Sequence, residues 1–187
     1  MNKIIIAFSV IFFIIACSRS AAQNIETLVP VNERVATFSI IPYGTSIQAA
    51  RNIFAENKLI IKSDTGTLYD NSVHNAIILN GYFYDEECEI YFNFIDGVFT
   101  SGMYIYSNVS RLLGDVIEGR ADRIKNKLLY EFTEKYGEYT TLSDIDTFYN
   151  YIWELNDGII VTLSGFEYSS FVYIRFDGTE YLKSITR

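Results

Sequence analysis

One histidine, His74, and two cysteines, Cys17 and Cys88, are all the imidazole and thiol chemistry this 187-residue chain contains. Any Ser–His or Cys–His nucleophilic arrangement would have to use His74. It sits in Asn71-Ser72-Val73-His74-Asn75, at the entry to an expected strand, and no nucleophile-elbow sequence occurs anywhere. His74 therefore reads as a structural or surface histidine. Cys88 lies within Asp85-Glu86-Glu87-Cys88-Glu89, where neighbouring carboxylates disfavour the thiolate that a catalytic cysteine needs. The same counts exclude zinc fingers, His-rich metal sites and a disulfide framework. There is no glycine-rich phosphate loop, and Asp64-Thr65-Gly66-Thr67 reads as a turn. Neither a cofactor nor a metal is expected.

Carboxylates remain for acid–base work. Asp85, Glu86, Glu87 and Glu89 cluster, and Asp144 and Asp146 stand two apart. In an extended segment the latter pair would share one side and could hold a hard cation such as Ca²⁺, but neither segment matches a calcium loop. Both read as solvated turns. The aromatic surplus is more pointed: 15 Tyr, 14 Phe and one Trp. Tyr82 and Tyr84, Tyr104 and Tyr106, and Tyr149 and Tyr151 each recur at i, i+2, which places each pair on one strand face. Such pairs either cover a sheet or form a recognition surface. For recognition the candidates are Tyr104 and Tyr106. Phe99, Met103 and Ile105 supply an apolar opposite face, and Gly102 would leave a shallow place for a ligand group beside the tyrosines. Fifteen basic residues against 23 acidic ones leave a formal charge of -8, which argues against nucleic acid as a partner.

The chain opens with a short positive start at Met1–Lys3, an apolar run from Ile4 to Ile15, and Ala16-Cys17. As a helix that run spans roughly 18 Å, against roughly 30 Å of bilayer hydrocarbon, so it reads as a secretory signal core rather than a membrane span. Ile14-Ile15-Ala16-Cys17 resembles the lipobox of bacterial lipoproteins. The resemblance implies removal of residues 1–16, acylation of Cys17 and attachment to a membrane on the extracytoplasmic side of the cell envelope. Ser18 follows the cysteine, not the aspartate that retains many lipoproteins at an inner membrane, which favours an outer membrane where the cell has one. Ordinary cleavage near Ser20-Ala21-Ala22 is the alternative and would release the protein. Residues 17–34 are polar and aperiodic and read as a tether; residues 35–187 suit a single domain.

Within that domain Pro42-Tyr43-Gly44 breaks the chain, Thr45 or Ser46 can cap, and Ile47, Ala50, Ile53 and Phe54 give a helical stripe ending near Asn57-Lys58. Strand spacing follows over Leu59–Lys62 and Val73–Tyr84, then a hairpin of Ile90–Ile95 and Val98–Tyr106 around Asp96-Gly97. A second helix, about Ala121–Tyr136, carries Ile124, Leu128 and Phe132 and stops at Gly137. Phe148–Leu155 and Ile159–Leu163 pair around Asn156-Asp157-Gly158, Phe171–Phe176 adds a strand, and Glu180–Ile185 an edge. The expected fold is α+β: an antiparallel sheet built of hairpins with two main helices on one face. Its halves can be read as a degenerate repeat of a helix followed by an Asp-Gly hairpin.

Pro42-Tyr43-Gly44-Thr45-Ser46 before an amphipathic helix, then Lys135-Tyr136-Gly137 and an aromatic strand with Trp153, is similar in pattern to BamE-like and β-lactamase-inhibitor-protein-like small envelope domains. That similarity implies helices over antiparallel sheet and carries no functional position with it. The sequence thus suggests a lipid-anchored, non-enzymatic envelope protein that binds another protein. Two alternatives stay open: a lipid-anchored enzyme using carboxylates on envelope glycans, and an inhibitor of an extracytoplasmic hydrolase.

Overall fold

The computed structural model describes residues 36–69, 72–106, 118–141, 148–166 and 171–186. The signal segment, Cys17, the tether through residue 34 and the Asp144/Asp146 pair lie outside them. The fold is α+β and mostly sheet: among the described residues, three helices accompany an eight-stranded antiparallel sheet and a two-stranded one.

Strands β1 (Thr37–Phe38) and β2 (Ile41–Pro42) form the small hairpin. Gly44 then takes a left-handed φ of 86° and Thr45 Oγ1 donates to the Pro42 carbonyl at 2.6 Å. Ser46 caps helix α1 (Ile47–Glu56), its hydroxyl accepting the Ala49 N–H at 3.2 Å. Ala50 and Phe54 are fully buried, and the Phe54 ring meets Phe92 edge-on at 4.8 Å.

Four strands follow: β3 (Ile61–Tyr69), β4 (Ser72–Phe83), β5 (Glu86–Ile95) and β6 (Val98–Tyr106). Tyr84-Asp85 and Asp96-Gly97 turn β4 into β5 and β5 into β6, all four residues at positive φ, as primed two-residue hairpin turns require. Two expectations are corrected here. Asp64-Thr65-Gly66-Thr67 is not a turn but the middle of β3; Gly66 stands opposite Asn75, whose amide lies 2.5 Å from where a β-carbon would be. The acidic cluster is likewise strand rather than turn from Glu86 onward. Alternation aims Cys88 into the core, while Glu86 pairs with Arg123 at 3.3 Å and Glu89 with Lys62.

Helix α2 (Glu118–Tyr136) stops where Gly137 adopts φ 85°. Strands β7 (Thr140–Thr141), β8 (Phe148–Glu154), β9 (Ile160–Phe166) and β10 (Val172–Asp177) follow. Phe132 of α2 packs against Trp153, Phe83 and Phe176 at centroid distances of 5.7 to 6.3 Å. Trp153 is 1% exposed, and its indole N–H donates to the Gly137 carbonyl at 3.0 Å, which ties β8 to the end of α2.

The expected edge strand at Glu180–Ile185 is instead helix α3 (Thr179–Ile185). Both flanks of β10 are already paired, with β6 and with β9, so no edge is open beside it. Asp177 Oδ1 accepts the Thr179 N–H at 2.9 Å and starts the turn, and Tyr181 is buried with its hydroxyl accepting the Ala36 N–H at 3.1 Å. The large sheet runs β3-β4-β5-β6-β10-β9-β8-β7. Each half is a helix followed by four strands in sequence order, and the last strands of the two halves meet in the middle.

Candidate functional site

Tyr104 and Tyr106, the recognition pair suggested by sequence, are core residues. They are 6% and 1% exposed. Tyr104 stacks on Phe83 with centroids 3.8 Å apart and planes 7° from parallel, and the Tyr106 hydroxyl donates to the Phe83 carbonyl at 3.2 Å. The space above Gly102 is no ligand shelf: the Phe38 ring fills it, 2.0 to 2.2 Å from the position of a β-carbon. Met103 does point away from the tyrosines, as alternation requires, but Phe99 does not join it. A bulge opposite Asn93 and Phe94 absorbs Thr100, so Phe99 comes to lie with the core.

The other set of alternating side chains builds the site. Cross-strand partners align Ala76, Asn93, Ser101 and Asp177 in one row, and Ile78, Tyr91, Met103, Arg175 and Thr162 in the next. Asn93 Nδ2 donates to Ser101 Oγ at 3.3 Å, and the buried Ser164 hydroxyl donates to Asn150 Oδ1 at 2.6 Å. The Arg175 guanidinium is held by Asp177 at 2.6 Å and remains about half exposed. Of these rows Ala76, Asn93, Ser101, Met103, Arg175 and Thr162 line a cavity of about 850 Å³ that reaches from Thr65 and Thr67 on β3, across His74, to Asn150 on β8, with Asp177 behind Arg175 and outside the lining.

Thr, Asn and Ser side chains dominate its lining, with one imidazole, one guanidinium and the rings of Phe171 and Tyr173, which lie 5.5 Å apart. No carboxylate lines it among the described residues. Such a surface offers hydrogen-bond donors, acceptors and ring faces, which is the chemistry of recognition. His74 lines this cavity, whereas Cys88 is buried on the opposite side of the sheet, so the two do not form a nucleophilic pair. Among the described residues no cluster of three His, Cys, Asp or Glu side chains is arranged to hold a metal.

Beside the cavity, Glu89 accepts hydrogen bonds from Lys62 and from the Tyr91 hydroxyl, the latter at 2.9 Å. The Lys62 bond, helped by that of Tyr91, holds the Glu89 carboxyl below the ordinary glutamate range against the opposing effect of burial. Burial first, then the Glu89 bond and charge, raises the Tyr91 phenol.

No protein-family model, curated protein or solved structure matches the chain. The site is therefore read from its own residues. Sequence reasoning missed it, although a signal was present: the polar Thr65 and Thr67 stand two apart on one strand, and His74 and Asn93 add polar groups on the next two.

Proposed function

We propose that this chain is a lipid-anchored, non-enzymatic cell-envelope protein that captures another protein on the polar face of its eight-stranded sheet. The observation carrying the reading is the 850 Å³ concavity, lined by amides, hydroxyls, Arg175 and Tyr173 and free of carboxylates among the described residues. In this reading α1, through Phe54 on Phe92, and α2, through Phe132 on Trp153, back the same face of the sheet and leave the polar one open. Cys17 supplies the membrane anchor, and residues 18–34 give the domain its reach from the lipid surface.

Two experiments test the two halves of the proposal. A photo-crosslinking side chain at Thr162, in the cavity, should give a discrete adduct in the native envelope, whereas the same group at the exposed Tyr130 of α2 should not. Identical adducts from both positions refute the face assignment. Metabolic labelling with a fatty-acid analogue should mark the wild-type chain and not Cys17→Ser; equal labelling refutes the anchor.

A further inference from the structure

The large sheet ends at β3, which among the described residues pairs with β4 alone. Which of its backbone groups point outward follows from the hairpin next to it. Phe83 and Glu86 flank the two-residue turn Tyr84-Asp85, so they exchange both hydrogen bonds, and alternation turns the backbones of Gly81, Leu79, Ile77 and Asn75 toward β5 as well. Val73 agrees: its N–H donates to Asp96 Oδ1 at 2.9 Å and its carbonyl accepts the Asp96 N–H at 2.8 Å. The alternate residues His74, Ala76 and Ile78 therefore face β3, where they meet Thr67, Thr65 and Ser63. That leaves the N–H and C=O groups of Asp64, Gly66 and Leu68 directed away from the sheet.

Asp64, Thr65, Gly66 and Thr67 are all exposed, so the edge is open along its middle. Proteins usually blunt such an edge with lysine, proline or a bulge. Here Lys62 and a register irregularity between Ile61 and Ser63 both sit at the start of β3; from Ser63 to Tyr69 the pairing with β4 is regular and neither lysine nor proline occurs. The open stretch is also the rim of the polar cavity, which Thr65 and Thr67 line from this same strand.

We propose that the captured protein adds an extended segment of its own to β3, bonding the outward backbone groups of Asp64, Gly66 and Leu68 while its alternate side chains lie over the polar cavity. The inference rests on protein capture by the polar face and names how the partner is held. Only another backbone offers donors and acceptors at the two-residue repeat of these three residues, roughly 6.8 Å. The partner segment is thus unpaired and proline-free over the span from Asp64 to Leu68. On the cavity side it carries short, uncharged polar side chains, because those bond Thr65 and Thr67 as cross-strand neighbours. A second copy of this chain is the poorer fit. It would set a further formal charge of -8 against the same sign, and one strand pair alone falls short of the roughly 1,000 Å² that a stable interface clears, whereas a partner that also fills the cavity supplies the missing area.

The test compares proline with alanine at the outward positions. Gly66→Pro removes an outward N–H and puts a ring where the partner's strand must lie, yet spares the bonds to β4; Gly66→Ala places the same β-carbon beside Asn75 and keeps the N–H. Asp64→Pro and Asp64→Ala form a second pair, in which both members lose the Arg51 ion pair. A photo-crosslinking side chain at Thr67 should give one discrete adduct with a protein of the native envelope. Either proline should reduce its yield about tenfold or more, and neither alanine should. In the purified chain the Asp64 and Gly66 amides should exchange with solvent at nearly unprotected rates while those of Thr65 and Thr67 are protected. No adduct at Thr67, equal yields from proline and alanine in both pairs, an adduct of twice the chain's mass, or protected Asp64 and Gly66 amides overturns the strand addition. Failure of the face reading looks different. An adduct at Thr162 that survives both prolines keeps the face and removes the edge, whereas a proline-sensitive adduct at Thr67 with none at Thr162 keeps the edge and removes the face.

Discussion

Replacing Gly102 by alanine adds one methyl group to the middle of β6, at a point already occupied. The new β-carbon would lie 2.0 Å from Phe38 Cδ1 and 2.2 Å from both Cε1 and Cγ. Carbon atoms pack at about 3.5–4.0 Å, so the ring must retreat by roughly 1.5 Å. It has little room: Phe38 is 3% exposed and touches Phe92, Phe99, Tyr104 and Phe176, with centroids 4.9 to 6.2 Å away. Gly102 does not occupy the left-handed region, so the penalty is steric and not one of backbone strain. Overpacking of this kind costs about 1–3 kcal/mol. For a domain of this size that corresponds to a loss of roughly 2–12 °C in melting temperature. Thermal and urea melts of the purified chain would measure it. In a Phe38→Ala background, which removes Cγ and every ring atom, the clash is relieved, so Gly102→Ala should become nearly neutral, and a double-mutant cycle should return a coupling of about 0.5–3 kcal/mol. A single mutant that melts with wild type, or penalties that merely add, would refute the packing of the hairpin on the sheet.

Three further outcomes follow from the same core and its rim. Trp153→Ala should cost about 3–5 kcal/mol, since it opens a cavity and orphans the Gly137 carbonyl; as the single tryptophan of the chain, its emission should be that of buried indole, readable directly in the folded protein. Changing Tyr104 and Tyr106 together to Ser should collapse the melting temperature, whereas Tyr106→Phe, which keeps the ring and removes the bond to the Phe83 carbonyl, should cost about 1 kcal/mol. Glu89 contributes stability that is complete above the ordinary glutamate range and is lost as pH falls through it, because its folded pKa is lowered and the unfolded chain takes up the proton first. Urea midpoints recorded between about pH 6 and pH 3 should fall less steeply for Glu89→Gln than for wild type, and identical slopes would exclude this contribution.

Local signals in the sequence carried a good part of the fold. Ser46 ahead of an apolar stripe, Asp96-Gly97 between alternating runs, and Gly137 after the last stripe residue of α2 are each decided by neighbours within a few positions. Gly66 and α3 were not decided that way. Gly66 looked like a turn residue, yet it is in a strand, because it pairs with Asn75, nine positions on, whose amide fills the space beside it. Glu180–Ile185 looked like an edge strand, but whether an edge exists beside β10 depends on β6 and β9 both having claimed it. Neither fact is written in the local residue pattern.

The misplaced tyrosines have a related cause. Alternation along β6 separates Tyr104 and Tyr106 correctly from Met103, but it cannot say which of the two sets will be covered. The cover comes from far along the chain: Phe38 from the N-terminal hairpin seats on Gly102, and Phe132 from α2 closes over Phe83 beside Tyr104. Tyrosine is a poor guide here, because its ring suits a core and its hydroxyl suits a surface, and Tyr106 meets both demands by bonding the Phe83 carbonyl from within. Side chains without that ambiguity are better guides. Thr65, Thr67, Asn93, Thr162 and Asn150 present short polar groups toward one side of the sheet, and a core has no use for so many of them. Where a sheet is this aromatic, the face left uncovered is marked by the residues that cannot be buried cheaply, not by those that could serve on either side.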